Sequence, residues 1–197
     1  MKKLNQLALI LGVFILVGYL SYQFYQPDKN KQAQQTGDIY VNALQKELGS
    51  TLKSAIKDKG PAGAVDFCNL QAQQITNEVN IPLNENITVR RYSDMPRNVK
   101  NTAGEYEMAA IGYFKDHPDQ KSYLQKVESN SETKIFNYYK PIYTQTLCLN
   151  CHGPKEQIND EVLAIINERY PTDRATGYKE GDLRGVFKVQ IPAQELE

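Results

Sequence analysis

The chain has 197 residues, with 23 basic and 23 acidic side chains, two His, three Cys and no Trp. That length accommodates about one domain of 100–150 residues with appendages, and 41% hydrophobic with 23% charged residues excludes both a disordered chain and a polytopic membrane protein. An odd number of cysteines excludes a complete disulfide framework, so at least one thiol has another role.

Met1-Lys2-Lys3 precedes an apolar run from Leu7 to Leu20, the basic and apolar regions of an export signal. No small-x-small cleavage site and no lipobox cysteine follow. This favours retention as an anchor, since the roughly 22 residues from Leu4 to Tyr25 suffice for ~30 Å of hydrocarbon, with Tyr19, Tyr22 and Tyr25 near the outer interface. Residues 1–26 are therefore expected to be a signal anchor or signal peptide. The rest would lie on the periplasmic side of the inner membrane, held by the N-terminal helix, or be soluble in the periplasm if the segment is cut. Residues 27–37, rich in Gln, Lys and Asn, read as a solvated linker, and 38–197 as one folded domain. Before residue 38 the bases Lys2, Lys3, Lys29 and Lys31 face Asp28 alone, so the domain itself is mildly acidic. Without a basic run it cannot neutralise a phosphate backbone, and nucleic acid is excluded as a partner.

Tyr40, Leu44, Leu48, Leu52, Ala55 and Ile56 recur at helical spacing, predicting an amphipathic helix that ends near Lys59-Gly60. Pro61 suits the first turn of a second helix, which places Ala64, Cys68, Ala72, Ile75 and Val79 on one face and turns Cys68 inward. Ile87 to Tyr92 alternates as a strand does. Gly104 to His117 reads as a helix through Met108, Ile111, Gly112 and Phe114, with Met108 in the core and Pro118 ending it. Strands are predicted at Lys134–Tyr139, at Tyr143–Leu147 and at Leu183–Ile191. Two helices followed by scattered strands give an α+β fold with an antiparallel sheet.

Cys148-Leu149-Asn150-Cys151-His152 is a C-x-x-C-H sequence, the attachment motif of a c-type haem. Two thiols three residues apart reach the two vinyl groups of one haem, and the adjacent imidazole then lies under the iron as an axial ligand. The export signal is an independent observation in the same direction, because haem c is assembled outside the cytoplasm. Three other readings fit less well. A thioredoxin-type pair requires a βαβ setting that is lacking, and a zinc site has only Cys68 and His117 to draw on besides this cluster. A Cys148–Cys151 disulfide leaves His152 unexplained. One motif predicts one covalently bound haem c, with His152 on the iron. For the other face of the iron, the residues leave Cys68, His117, Met95, Met108, a Lys or Tyr donor, or an open position. Cys68 is equally compatible with packing as a small hydrophobe. His117, in a polar turn, reads as solvent-exposed.

The segments Pro141-Ile142, Cys148 to Gly153, Tyr170-Pro171-Thr172-Asp173-Arg174-Ala175-Thr176-Gly177-Tyr178 and Gly181 to Gly185 resemble a family of small haem-c sensor domains with a PAS-like fold. That family was first described in a cyanobacterial protein and often stands at the front of bacterial sensor kinases. The resemblance covers most of residues 38–192. Arg97-Asn98 with Asn101 resembles its Arg-Asn-Pro-x-Asn stretch, with Val99 in place of the proline. The family implies a PAS-like antiparallel sheet behind N-terminal helices, and a cysteine with the motif histidine as axial ligands, the former at the place of Cys68. A thiolate there would stabilise ferric iron and lower the potential.

Arg90, Arg91, Arg97 and Arg184 are candidate partners for haem propionates, and Tyr143, Tyr170 and Tyr178 for the pocket lining. Of these, Arg97, Arg184 and Tyr178 join Cys148, Cys151, His152 and Cys68 as the expected haem-binding residues. Asp173 and Asp182 read as turn and cap residues rather than acid catalysts. The function expected from all this is a redox sensor, not an enzyme, signalling through a redox partner or a separate signalling protein. The rivals are a periplasmic electron carrier and a haem enzyme such as a peroxidase or nitrite reductase.

Overall fold

A 52-residue helical segment, α1 (Lys29–Asn80), begins the part of the chain described by the computed structural model, which comprises residues 28–80, 84, 86–129 and 133–196. The side chains of residues 66–70, 80, 129 and 133 are outside that description. The expected signal or anchor at residues 1–26 also lies outside it. Among the described residues no helix is long and apolar enough to cross a membrane.

α1 is two helices joined at Gly60, whose φ of 70° and ψ of 177° break the helix as the Gly-Pro pair predicts. The second arm runs back along the first: Tyr40 Oη donates to the carbonyl of Asn84 at 3.4 Å, which returns the chain to the middle of the first arm. Ile75 accordingly shares one buried cluster with Tyr40, Val41 and Leu44. The stretch read as linker is helical from Lys29. Its Gln, Lys and Ala residues are good helix formers, and two small ones do the packing. Ala33 is fully buried, and Gly37 sits so close to Tyr138 that a Cβ there would lie 2.2 Å from the ring.

Four antiparallel strands follow: β1 (Thr88–Tyr92), β2 (Tyr123–Ser129), β3 (Thr133–Tyr143) and β4 (Leu183–Pro192), in the order β1-β4-β3-β2. Val89 and Tyr138 flank Val189 in register, and these three, with Phe136, Phe187 and Ile191, form the face that packs on α1. The opposite face carries Tyr139 and Val186 against Ala110, Ile111 and Phe114 of α2 (Glu105–Asp116). The sheet is thus covered on both sides, which is why Val186 to Val189 are buried without the alternation of a one-sided strand. Each fully buried aliphatic or aromatic side chain stabilises by about 1.5–3 kcal/mol.

Three expectations give way here. Tyr143–Leu147 is not a strand: β3 runs on through Pro141 to Tyr143, its register shifts at Ile142/Tyr143, and Thr146–Cys148 forms a 3-10 turn. Pro141 is tolerated because β2 pairs only as far as Tyr139, so no ladder donor is needed on that side. Met108 is 46% exposed rather than in the core, since Glu107, Ala110, Ile111 and Phe114 supply the buried face of α2. Finally, β2 and α4 (Asp160–Arg169) are elements beyond those expected.

Candidate functional site

Cys148 closes the 3-10 turn and Leu149–His152 forms α3, a single helical turn, so Cys151 follows Cys148 by three residues on one side of the turn. The two thiols are not joined as a disulfide. The backbone N–H of Gln145 donates to Cys148 Sγ at 3.4 Å. Cys151 packs against Ala62 and Val65 of the second arm of α1 and Val162 and Ile166 of α4, with Tyr170 in the same cluster. Gly153 ends the turn, where a Cβ would lie 2.7 Å from the Leu149 carbonyl oxygen.

The segment singled out between Tyr170 and Tyr178 wraps this turn. Gly177 N–H donates to Gly153 O at 2.8 Å, and Tyr178 N–H to His152 O at 3.0 Å. His152 Nδ1 lies 2.7 Å from the carbonyl oxygen of Ala175. A carbonyl only accepts, so Nδ1 carries the proton and Nε2 keeps its lone pair for a metal. Desolvation, followed by the Arg97 and Arg184 guanidinium groups, holds the imidazole neutral, well below its ordinary pKa.

Arg97 grips Asp173 side-on, Nε to Oδ1 at 3.1 Å and Nη2 to Oδ2 at 3.2 Å, with both side chains nearly buried. Nη2 also donates to Cys151 O at 2.6 Å and to Ala175 O at 3.4 Å, and Asp173 Oδ1 accepts from Ala175 N–H at 3.0 Å. Arg97 is therefore engaged by the motif loop itself. Asp173 is the turn residue the sequence suggests, but its pairing with Arg97 across 76 positions has no local signal.

Arg184 donates from Nη1 to Ser93 Oγ at 2.8 Å and to Met95 O at 3.1 Å, and its guanidinium lies 5.2 Å from the centre of the Tyr178 ring. Burial, the largest influence on it, depresses its pKa. Its Nε and the Tyr178 hydroxyl are buried without a hydrogen bond of normal geometry. Tyr178 also meets His152 edge-on, with ring centres 6.5 Å apart.

The other expected residues are distributed as follows. Cys68 belongs to the second arm of α1, three positions after Val65, and its side chain lies outside the described residues. His117 caps α2 from the exposed surface, stacked on Tyr113. Tyr143 is 37% exposed and bonds Pro118 O at 3.2 Å, and Arg90 is exposed. Among the described residues no group of three or more His, Cys, Asp or Glu could hold a metal, which leaves no support there for the zinc reading. The groove lined by Gln32, Ile39 and Leu196 lies against the first arm of α1 and contributes nothing to this site.

The family model described as Tll0287-like (Tll0287) matches residues 25–192. The crystal structure of the cyanobacterial haem protein Tll0287 is similar, with a TM-score of 0.52 and 28% sequence identity, covering 61% of this chain and 69% of that one. No curated protein matches.

Proposed function

The chain belongs to the Tll0287-like family, and from that premise we propose that it is a single-haem protein with a covalent haem c at Cys148 and Cys151, working as an extracytoplasmic redox sensor. The observation that carries the reading is the His152–Ala175 hydrogen bond of 2.7 Å, which presents an imidazole with its Nε2 lone pair beside two thiols on one helical turn. The surroundings fit the group. Haem propionates are paired carboxylates, and the part-buried Arg184 guanidinium with the Tyr178 hydroxyl beside it is a pair of donors suited to them. Arg97, with its fork committed to Asp173, holds the loop instead, so Arg184 takes the propionate role. Bound there, haem supplies a one-electron couple at its iron.

Cys68 would hold the iron together with His152 in this reading, supported by the family likeness and by its place in the arm of α1 that packs beside Cys151. Its thiolate would favour the ferric state. We propose a sensing rather than a catalytic role; Asp173, linked to His152 through Ala175, has both oxygens engaged by Arg97 and so serves as a clamp rather than as an acid-base group. The four-stranded antiparallel sheet with helices on both faces supports a PAS-like description. The apolar run Leu7–Leu20 supports a periplasmic location anchored in the inner membrane, with the signal passed to a separate protein.

One observation favours the second reading, an electron carrier. Leu147 and Tyr143, 38% and 37% exposed, put an apolar rim next to Cys148, suited to brief docking of a redox partner. The test is the absorption and EPR spectra of protein matured with a cytochrome c assembly system, together with Cys68→Ala. The sensor reading expects a covalent haem whose ferric spectrum and potential change in Cys68→Ala, and slow binding of cyanide or CO. No covalent haem would end both readings, and an unchanged Cys68→Ala spectrum would remove Cys68 from the iron.

A further inference from the structure

Three groups converge on one carbonyl. The Ala175 oxygen accepts from His152 Nδ1 at 2.7 Å and from Arg97 Nη2 at 3.4 Å, while the N–H of the same residue donates to Asp173 Oδ1 at 3.0 Å. Asp173 in turn fixes Arg97 side-on, and Arg97 also binds Cys151 O, one residue before His152. A histidine ligand becomes more electron-donating as its distal N–H is bonded more strongly, and hydrogen bonds around a haem ligand tune its potential.

We propose that Arg97 is a positioning residue that sets the electron-donating strength of His152 through the acceptor they share, the Ala175 carbonyl, with Asp173 as the counter-charge that competes for the same guanidinium and moderates its pull on that oxygen. This rests on the haem reading above. Arg97 draws on the carbonyl and so weakens its pull on the imidazole proton. Its positive charge, poorly screened because Arg97 and Asp173 are 12% and 8% exposed, acts in the same direction by disfavouring the ferric state. Asp173 opposes both effects. A loop-holding role alone would give Arg97 and Asp173 the same effect, because each is needed for the clamp. The proposed role gives them opposite ones.

The experiment compares reduction potentials of the full-length, haem-loaded protein. Arg97→Gln should shift the potential down and Asp173→Asn should shift it up, with Arg97→Lys, which keeps the charge, nearer the wild type than Arg97→Gln. Shifts of the same sign in the Gln and Asn variants, or no shift in either, would overturn the proposal. A second measurement needs no haem: in the unloaded protein, the 15N resonance of His152 Nδ1 should move in Arg97→Gln, and an unmoved resonance counts against the shared acceptor. A wild-type protein that takes up no haem would defeat the proposed function, yet the nitrogen resonance would still decide whether Arg97 acts on His152.

Discussion

The imidazole of His152 and the carbonyl of Ala175, 23 residues apart in sequence, are joined by a 2.7 Å hydrogen bond that fixes which ring nitrogen carries the proton. The bond exists because the Tyr170–Tyr178 segment is laced to the motif turn by two adjacent backbone hydrogen bonds, from Tyr178 N–H to His152 O and from Gly177 N–H to Gly153 O. The imidazole is thus oriented by main chain rather than by a side chain, and a point substitution cannot remove the acceptor.

The two cysteines are expected to act separately. Cys148→Ser and Cys151→Ser should each keep a single thioether and a displaced α-band in the reduced pyridine haemochrome spectrum. The double substitution should leave no haem on the polypeptide after denaturing electrophoresis. Retention of covalent haem in the double variant would show attachment elsewhere.

Gly37→Ala should destabilise the fold although it raises helix propensity by roughly 1 kcal/mol. The added methyl would fall 2.2 Å from the ring of Tyr138, itself 1% exposed, so overpacking near the upper end of about 1–3 kcal/mol wins. Thermal melting of the variant should occur several degrees lower, and an unchanged midpoint would mean that α1 moves off the sheet at no cost.

Lys188 and Glu107 form a buried pair at 2.6 Å, with side chains 8% and 9% exposed, and the other carboxylate oxygen of Glu107 takes the Gly104 N–H that opens α2. Lys188→Met alone should cost about 3–5 kcal/mol by stranding the carboxylate. Adding Glu107→Gln should recover most of that, because the amide oxygen still accepts from Gly104. Urea unfolding of the single and double variants measures the difference; equal losses would argue against a stranded charge.

Alkaline pH should weaken the fold through two phenols. Desolvation, and then the Asp38 carboxylate, raise Tyr138 above its ordinary pKa of 10.0, and desolvation followed by Glu107 raises Tyr139. Folded protein therefore keeps protons that the unfolded chain releases. Stability from these groups is intact below pH 10 and is lost as pH rises beyond it. Urea midpoints between about pH 8 and 11.5 should fall above pH 10, less steeply in Tyr138→Phe; an equal slope in that variant would place the effect elsewhere.

Strong periodicity made much of this molecule legible in advance. The break at Gly60, the strand ending at Tyr92, the helix before Pro118 and β4 all carry residues whose spacing matches their burial. Burial by small residues left no such trace. Ala33 and Gly37 pack α1 on Tyr138 without a hydrophobic stripe, so a helix passed for a linker. β2 is an edge strand whose Gln125, Lys126 and Glu128 dilute its alternation, and α4 buries only Val162 and Ile166. In the site, the C-x-x-C-H spacing is local chemistry and reads directly. The Arg97–Asp173 clamp is tertiary and charged, and polar residues have no periodicity to reveal their partners.

β4 touches both ends of the molecule. Arg184, near its start, bonds Ser93 and Met95 beside His152, whereas the carbonyl of Ala193, just past its end, receives Lys29 Nζ at 3.1 Å. At ~3.3 Å per residue its ten residues measure roughly 30 Å. A single rigid strand, buried at its centre and paired on both sides, thus sets a fixed separation between the start of α1 and the turn that carries His152. A change of geometry at the His152 pole would therefore reach the Lys29 pole as a rigid displacement of β4 rather than through a direct contact.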